Sequence, residues 1–311
     1  MVIAIVVTHR VVVASRRFQA IGDNRSVRLK SVNITQKISF YRRNLLHQRE
    51  IMDGKNAEYD NIASEFKANI GLDSRDPTEY YTFEKFILGP LLNARGLLTE
   101  KRVLDIACGE GLYTRRLKAF DCDYILGVDI SSEMIKLARD AELKDPKGIE
   151  YMVADVNQLP IPEKPFDLVT AVFLLNYART RKELLKMANI IYAQLGKNTH
   201  FIGFTNNIAG STKGFNMTKY RFFRHVKDPS EDGIIPEGTE VFITLLNMEN
   251  KPACTFSTYY LSQKTYEEVF KEAGFTKFEW IPIQCDPAAS NKEFYDDLIE
   301  SASEIGFIAS K

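Results

Sequence analysis

The 311-residue sequence predicts an α/β fold built on a mostly parallel sheet. Between residues 102 and 207, short apolar segments with the character of strands alternate with helical segments, and this alternation requires the crossover connections of parallel strands. The segment "DLVTAVFLL" is almost continuously apolar, as expected of a strand that is buried on both faces of a sheet. A content of 45% hydrophobic and 26% charged residues is ordinary for a globular protein.

Helices precede this alternation. Tyr59, Ile62, Ala63 and Phe66 recur at i, i+3, i+4 and i+7, which predicts a helix from residue 56. After the break at "GLDSRDP", the stretch "TEYYTFEKFILGPLL" predicts a second helix that ends at "NARG".

The alternating region itself predicts five strands and three helices. The strands are 102–108, 124–130, 149–156, 165–175 and 199–207, and the helices are 111–120, 131–144 and 180–195. Thr180 and Glu183 have the spacing of a capping box at the start of the last helix.

The regular rhythm stops after residue 206. Residues 207–235 show no steady period, and 239–262 predict a β-hairpin around "NMENKP". A helix over 264–275, with Thr265 and Glu268 as its capping box, and strands at 277–285 and 304–310 complete the chain. The aromatic residues of this region form either a substrate lid or ordinary packing: Phe215, Tyr220, Phe222, Phe223, Tyr259 and Tyr260.

These patterns divide the chain into five parts. They are a basic extension (1–51), N-terminal cap helices (52–98), a core that carries the alternation (99–206), an insert or lid with the hairpin (207–260), and a C-terminal helix with strands (261–311). The extension contains 10 Lys/Arg and 2 acidic residues. Three interpretations fit it: a targeting segment, a segment outside the domain, or an ordered part of the fold. We expect a cytoplasmic protein, with a mitochondrial one as the alternative if 1–51 is a transit segment.

Charge and composition exclude several classes. Residues 52–311 carry 31 basic and 39 acidic residues, which disfavours a surface for nucleic acid. The four cysteines and four histidines show no metal-ligand spacing, so no metal is expected. We also expect no stable membrane span, because no stretch reaches the ~18 apolar residues required.

The turn "DIACGEG" after the first core strand has the features of a cofactor site. Ligands bind at the carboxyl ends of parallel strands, where the strand order reverses. Small residues let a ligand approach the backbone here, namely Ala107, Gly109 and Gly111. Asp129 closes the second strand about twenty residues on, where a carboxylate accepts hydrogen bonds from ribose hydroxyls.

Three details favour S-adenosylmethionine over a dinucleotide. Thr114 stands where the fingerprint G-x-G-x-x-G has its third glycine. Asp105 would repel a pyrophosphate but suits a sulfonium or ammonium cation. Asp155, in "ADV" at the end of the third strand, is placed to accept a hydrogen bond from an adenine amino group.

The stretches "VLDIACGEG", "GVDIS", "ADV" and "PFDLV" resemble the class I S-adenosylmethionine-dependent methyltransferases over residues 55–311. The resemblance looks closest to the small-molecule branch around toxoflavin-synthase-like enzymes. It implies a Rossmann-like sheet of seven strands, mostly parallel, with the last strand antiparallel. Many members have a glycine pair where this chain has Ala107 and Cys108, and an alanine still leaves the backbone accessible.

The resemblance also implies roles for individual residues. The turn residues would line the methionine, Asp129 the ribose, and Asp155 with the Val156 backbone the adenine, while the Phe173 backbone would face the amino end. The remaining candidate cofactor contacts are Ile130, Met134, which is otherwise helix core, and Tyr59, which is otherwise plain core. Cys108 is interpreted as a small apolar filler.

Catalytic residues are harder to assign from the sequence. Asn176 and Tyr177 follow the fourth core strand and lie near the reacting methyl group or else in a simple helix-entry turn; His225 is a candidate base or a solvated side chain. Because a sulfonium already activates its methyl group, alignment and exclusion of water are enough for chemistry without a strong base.

The predicted activity is transfer of the methyl group of S-adenosylmethionine to an N-, O- or C-nucleophile of a small, aromatic or heterocyclic acceptor. A non-catalytic S-adenosylmethionine-binding regulator or partner subunit is the first alternative, and an NAD-dependent oxidoreductase is the second. Oligomeric state cannot be read from the sequence.

Overall fold

The computed structural model describes residues 6, 7, 10, 11, 58–60, 62–70, 76–208, 210–212 and 214–311. The chain divides into two units, Met1–His47 and Gln48–Lys311. In the first unit, β1 (Val6–Val7) and β2 (Arg10–Val11) pair antiparallel. The role of residues 1–51 and the location of the protein in the cell stay predictions.

The strands of the second unit form two sheets. In chain order they are β3 (Arg102–Ile106), β4 (Tyr124–Asp129), β5 (Glu150–Val153), β6 (Phe166–Val172), β7 (Leu195–Asn206), β8 (Asn216–Met217), β9 (Phe222–His225), β10 (Glu240–Leu246), β11 (Pro252–Tyr259), β12 (Lys277–Pro282) and β13 (Glu304–Ser310). The main sheet has the order β12-β13-β7-β6-β3-β4-β5.

The main sheet confirms the predicted fold class. β3 pairs parallel with β4 and β6, which pair parallel with β5 and β7, respectively. β13 is antiparallel to β7 and β12 on either side of it. The chain runs from β3 to β4 and β5 on one side and returns to β6 and β7 on the other. The turn after β3 therefore lies at the switch point where such sheets bind ligands.

The α-helices of the second unit are α1 (Ala63–Ile70), α2 (Leu112–Lys118), α3 (Ser132–Lys144), α4 (Arg181–Gln194), α5 (Gln263–Glu272) and α6 (Asp296–Ser301). The predicted second N-terminal helix is present but mostly π-helical, over Asp76–Tyr80 and Phe83–Leu88, and ends in a 3-10 turn, Gly89–Leu91. The sequence predicted neither the π-helical geometry nor α6. Among the described helices, none has both the length and the apolar character needed to cross a membrane.

Two helix starts test the predicted caps. Thr180 accepts a hydrogen bond from the Glu183 N–H at 3.2 Å, as predicted, while the Glu183 carboxylate accepts from the N–H of Arg179, one residue before the cap. The predicted N-cap of α5 at Thr265 is wrong. Ser262 is the cap and accepts from the Thr265 N–H at 3.2 Å, because the helix begins one turn earlier than the capping-box spacing indicated.

Apolar side chains cover both faces of the main sheet. Leu104 and Phe201 lie in one buried cluster with residues of α4 and α5. Val103 and Ile202 lie in a second cluster with residues of α2, α3 and the π-helical segment. This burial on both faces is the reason why the core strands are so continuously apolar.

The insert forms a second sheet of four antiparallel strands in the order β11-β10-β9-β8, which we call the insert sheet. The predicted hairpin is present as β10 and β11. Residues 207–235, which show no steady period in the sequence, contain the strands β8 and β9, which have only two and four residues. Strands of that length are too short to show an alternating pattern in the sequence.

Candidate functional site

The turn between β3 and α2 has an unusual backbone. Ala107, Gly109 and Gly111 have φ angles of 56°, 54° and 85°, in the left-handed region that favours glycine. Gly111 is the residue before the first turn of α2. The turn therefore folds the chain sharply from the strand into the helix, and Ala107 holds a conformation that a side chain disfavours.

The two glycines of the turn have opposite surroundings. A Cβ atom on Gly109 would meet no atom within 4 Å, so the space beside this residue is open. A Cβ on Gly111 would collide with the phenol ring of Tyr151. Tyr151 is buried in β5, and its hydroxyl has no hydrogen-bond partner among the described residues. Gly109 thus leaves room for a ligand, while Gly111 makes room for Tyr151.

Asp129 is held by backbone groups on either side of the turn. Its carboxylate accepts from the N–H of Gly109 and from the N–H of Ser131, each at 2.8 Å. Burial raises the pKa of this carboxyl group, and the two N–H groups oppose the rise. Each oxygen keeps a second lone pair, so the predicted contact with a ribose diol is compatible with this geometry. Ile130 follows with 50% of its surface exposed, although it is apolar.

Asp105 lies buried beneath the turn. It is 1% exposed, and its two oxygens accept from the hydroxyls of Thr114 at 2.5 Å and Thr170 at 2.7 Å. Burial raises the pKa of Asp105 to about 6. Its carboxylate anchors the turn from inside, and its predicted contact with a cation stays a prediction. Thr114, the departure from the dinucleotide fingerprint, is one of the two partners of this carboxylate.

Cys108 is buried in the same turn. Its thiol donates to the Gly109 carbonyl at 3.6 Å, and burial raises its pKa well above the usual value. A thiol that stays protonated is a poor nucleophile and metal ligand, which agrees with the interpretation of Cys108 as a filler.

The third strand ends beside Asp129. The N–H of Ala154 donates to the Asp129 carbonyl at 2.8 Å. Asp155 is half-buried and accepts from the N–H and side-chain amide of Asn157 through one oxygen, at the start of a short 3-10 turn that contains buried Val156. These bonds orient Asp155, and its contact with an adenine stays a prediction.

Two further residues predicted to contact the cofactor, Phe173 and Met134, are held in place by other residues of the chain. Phe173 has a φ of 59°, donates its N–H to the Phe204 carbonyl at 2.9 Å, and stacks its ring on that of Phe204. Met134 is buried near the start of α3, as expected of helix core. Whether Met134 also covers a cofactor stays a prediction.

An aromatic cluster lies at the carboxyl end of β6. The hydroxyls of Tyr59 and Tyr177 are 2.5 Å apart, and the Tyr59 ring packs on Phe66 and Phe256 at centroid distances of 5.0 and 5.5 Å. Asn176 is 2% exposed, and its Oδ1 has no hydrogen-bond partner among the described residues. The structure therefore joins the predicted residues from the N-terminal region and the core. The sequence missed Phe256, which carried no motif.

His225 is not part of this cluster. In β9 it pairs with Phe242, and its ring stacks on the ring of Phe242 at 5.1 Å. Phe256 pairs with Ile243, the neighbour of Phe242, and therefore lies on the opposite face of the insert sheet. The exposed His225 thus faces away from the Tyr59–Tyr177 pair, which agrees with the alternative of a solvated side chain, and its role as a base stays a prediction.

Comparisons with known proteins agree with this geometry. Residues 103–197 match the family model described as "Methyltransferase domain". The chain is 34% identical over 95 residues to the ubiquinone/menaquinone biosynthesis C-methyltransferase of Pseudomonas savastanoi pv. phaseolicola. This match covers 29% of this chain and 37% of that protein. The chain is also 27% identical over 126 residues to the ubiquinone biosynthesis O-methyltransferase of Coxiella burnetii, and this match covers 39% of this chain and 53% of that protein. The matches thus span between a third and about half of these relatives.

The fold is shared more widely than the sequence. A crystal structure of an S-adenosylmethionine-dependent methyltransferase from Clostridium acetobutylicum superposes with a TM-score of 0.53 at 18% identity, over 81% of this chain and 98% of that one. At this identity the likeness shows the fold, which is that of the class I enzymes.

Proposed function

We propose that this chain, in which residues 103–197 form a methyltransferase domain on the class I fold, transfers the methyl group of S-adenosylmethionine to a small molecule. The observation that carries the proposal is the Asp129 carboxylate, held by two backbone N–H groups beside the open space at Gly109. S-adenosylmethionine, when bound, supplies a methyl group that its sulfonium already activates.

The residues present fit this cofactor. Gly109 leaves its open side free for the methionine portion, and Asp129 is oriented to accept from the ribose hydroxyls. Exposed Ile130 offers an apolar surface next to that carboxylate for the adenine ring. Asp155 and the backbone of Val156 would hold the adenine edge, and the strained backbone at Phe173 would face the amino end.

The aromatic cluster supports a flat, aromatic acceptor. Tyr59, Phe66, Tyr177 and Phe256 bring apolar ring surface to the carboxyl end of β6. The Oδ1 of Asn176 is buried without a partner at the same strand end, and an N–H or O–H of the acceptor would satisfy it. This contact would turn the nucleophile toward the cofactor, so that Asn176 acts by positioning the acceptor. The resemblance to toxoflavin-synthase-like enzymes stays a prediction.

The test is calorimetric titration of S-adenosylhomocysteine into the full chain and two variants. Asp129→Asn should weaken binding by about tenfold to a hundredfold, because it removes a charge-assisted acceptor. Asp140→Asn is the matched control, since Asp140 is an exposed acid of α3, and it should bind like the unmodified chain.

Two outcomes would contradict the proposal. A folded protein that does not bind S-adenosylhomocysteine but quenches NADH fluorescence on binding it would support the oxidoreductase alternative. Tight binding of S-adenosylhomocysteine without methyl transfer to any of a panel of phenols, anilines and heterocyclic amines would support a non-catalytic regulator.

A further inference from the structure

Arg224 is a buried cation that the chain leaves incompletely paired. It lies in β9, is 7% exposed, and donates from Nη2 to the Ser303 carbonyl at 3.2 Å. Its guanidinium lies 5.0 Å from the centre of the Phe222 ring. Its Nε has no hydrogen-bond partner among the described residues, although the charge of Glu304, the residue after Ser303, acts on the guanidinium. Buried donors are normally satisfied, so the unpartnered Nε–H of this cation calls for an acceptor group.

A second unsatisfied donor lies in the same contact. Ser303 is 4% exposed, and its hydroxyl has no partner among the described residues, although its carbonyl accepts from Arg224 and from the N–H of Asn207. The Arg224 Nε–H and the Ser303 hydroxyl are both donors. Two buried donors in one contact, one of them on a cation, match the oxygens of an anionic group.

The position of this contact connects it to the proposed site. Ser303 immediately precedes β13, whose first residue pairs with Asn206 at the carboxyl end of β7. The Asn206 amide also donates to the Thr258 hydroxyl of the insert sheet at 3.3 Å. The carboxyl edge of the main sheet and the insert sheet therefore meet here.

The insert sheet presents Arg224 on the same face as the aromatic cluster. Arg224 pairs with Ile243, which pairs with Phe256, and paired residues of neighbouring strands share a face. Phe256 packs on Tyr59, whose hydroxyl meets that of Tyr177. Arg224 thus lies two strands away from the rings that we propose as the acceptor site.

We propose that the methyl acceptor carries an anionic group, a carboxylate or a phosphate, that Arg224 and the Ser303 hydroxyl bind. This inference rests on the proposed function and narrows its substrate to aromatic or heterocyclic acids. The guanidinium contributes charge and a planar pair of donors, which an ammonium group does not reproduce. Burial lowers the pKa of Arg224 to about 10, the charge of Glu304 opposes this shift, and the group stays charged at neutral pH.

The experiment uses the full chain saturated with S-adenosylhomocysteine and three probes: benzoate, its neutral counterpart benzamide, and inorganic phosphate. Calorimetry should show benzoate binding at least about tenfold more tightly than benzamide. Phosphate binding without a preference for benzoate would assign the anion as a phosphate.

Variants then locate the anion. Arg224→Met should abolish the preference for the anion, Arg224→Lys should restore part of it, and Ser303→Ala should weaken it severalfold. Arg221→Met is the matched control in the same insert, because the Arg221 side chain contacts Met248 instead, and it should leave the preference unchanged.

The experimental outcomes that would overturn this inference differ from the outcome that would overturn the proposed function. If the unmodified chain binds S-adenosylhomocysteine but no anion, or if Arg224→Met binds S-adenosylhomocysteine and keeps the preference for benzoate, the inference is overturned. If Arg224→Met does not fold, Ser303→Ala decides, since it keeps the backbone carbonyl and removes only the free donor. Loss of S-adenosylhomocysteine binding in the unmodified chain would overturn the proposed function.

Discussion

Alanine substitutions at the two glycines of the turn after β3 should have different effects, one mainly on stability and the other mainly on ligand binding. Gly109 and Gly111 have φ angles of 54° and 85°, so either substitution places a side chain in the left-handed region at a cost of about 1–2 kcal/mol. Only the Cβ on Gly111 would also collide with the ring of Tyr151, and forced overpacking adds about 1–3 kcal/mol. Gly111→Ala should therefore lower the free energy of unfolding by about 2–5 kcal/mol.

Gly109→Ala should act mainly on the ligand. Its Cβ enters the open space beside the turn, which we assign to the cofactor. We expect a loss of about 1–2 kcal/mol in the free energy of unfolding, together with S-adenosylhomocysteine binding weakened by about tenfold or more. Urea denaturation followed by circular dichroism gives the first quantity, and calorimetric titration gives the second.

A third variant tests the cause assigned to the Gly111 effect. Tyr151→Leu removes the ring that the new Cβ would meet, so Gly111→Ala should cost about 1–3 kcal/mol less in that background than in the unmodified chain. Equal destabilisation by the two glycine substitutions, or strictly additive effects of Gly111→Ala and Tyr151→Leu, would refute the reasoning from this contact.

Three further outcomes follow from hydrogen bonds of the structure. Because the pKa of Asp105 is raised from 3.8 to about 6 in the folded chain, the folded state holds the extra proton between these values and stability falls as the pH rises through that window. Asp105→Asn removes this contribution, so its unfolding free energy relative to the unmodified chain should rise by about 2 kcal/mol from pH 4 to pH 7; a flat difference would contradict the assignment. In a double-mutant cycle, Tyr59→Phe and Tyr177→Phe should show a coupling of about 0.5–1.5 kcal/mol in urea unfolding, and additivity would exclude the bond between their hydroxyls as a stabilising contact. Ser262→Ala should cost about 1 kcal/mol of stability through loss of the cap of α5, whereas Ser132→Ala, at the exposed first residue of α3 where Ser131 is the cap, should cost much less.

Much of the fold could be predicted because the relevant signals are local. The strands of the core were visible as apolar runs, since burial on both faces demands apolar residues at nearly every position. The turn after β3 was visible because positive φ angles select glycine at Gly109 and Gly111. The extra strands β8 and β9 were missed because two to four residues carry too little pattern.

The site was predicted less completely, because its members meet only through tertiary contacts. The sequence identified Asp105 as an acid at a strand end, but only the packing of Thr114 and Thr170 against it made it an internal anchor. No pattern in the sequence placed Tyr151 beneath Gly111, since the two residues are joined by the pairing of β4 with β5 and not by any local motif.

The neighbouring residues Arg224 and His225 illustrate which features the sequence determined and which only the tertiary structure decided. From the sequence alone, the strand-like alternation, the parallel sheet, the glycine turn and its preference for an adenosyl cofactor could be determined, because each depends on residues close together along the chain. Adjacent residues of a strand point to opposite faces, yet the sequence does not say which face of a short strand will be covered. The pairing of β9 with β10 and the packing of the insert sheet against the edge of the main sheet decided that Arg224 is buried beside Ser303 and His225 is exposed.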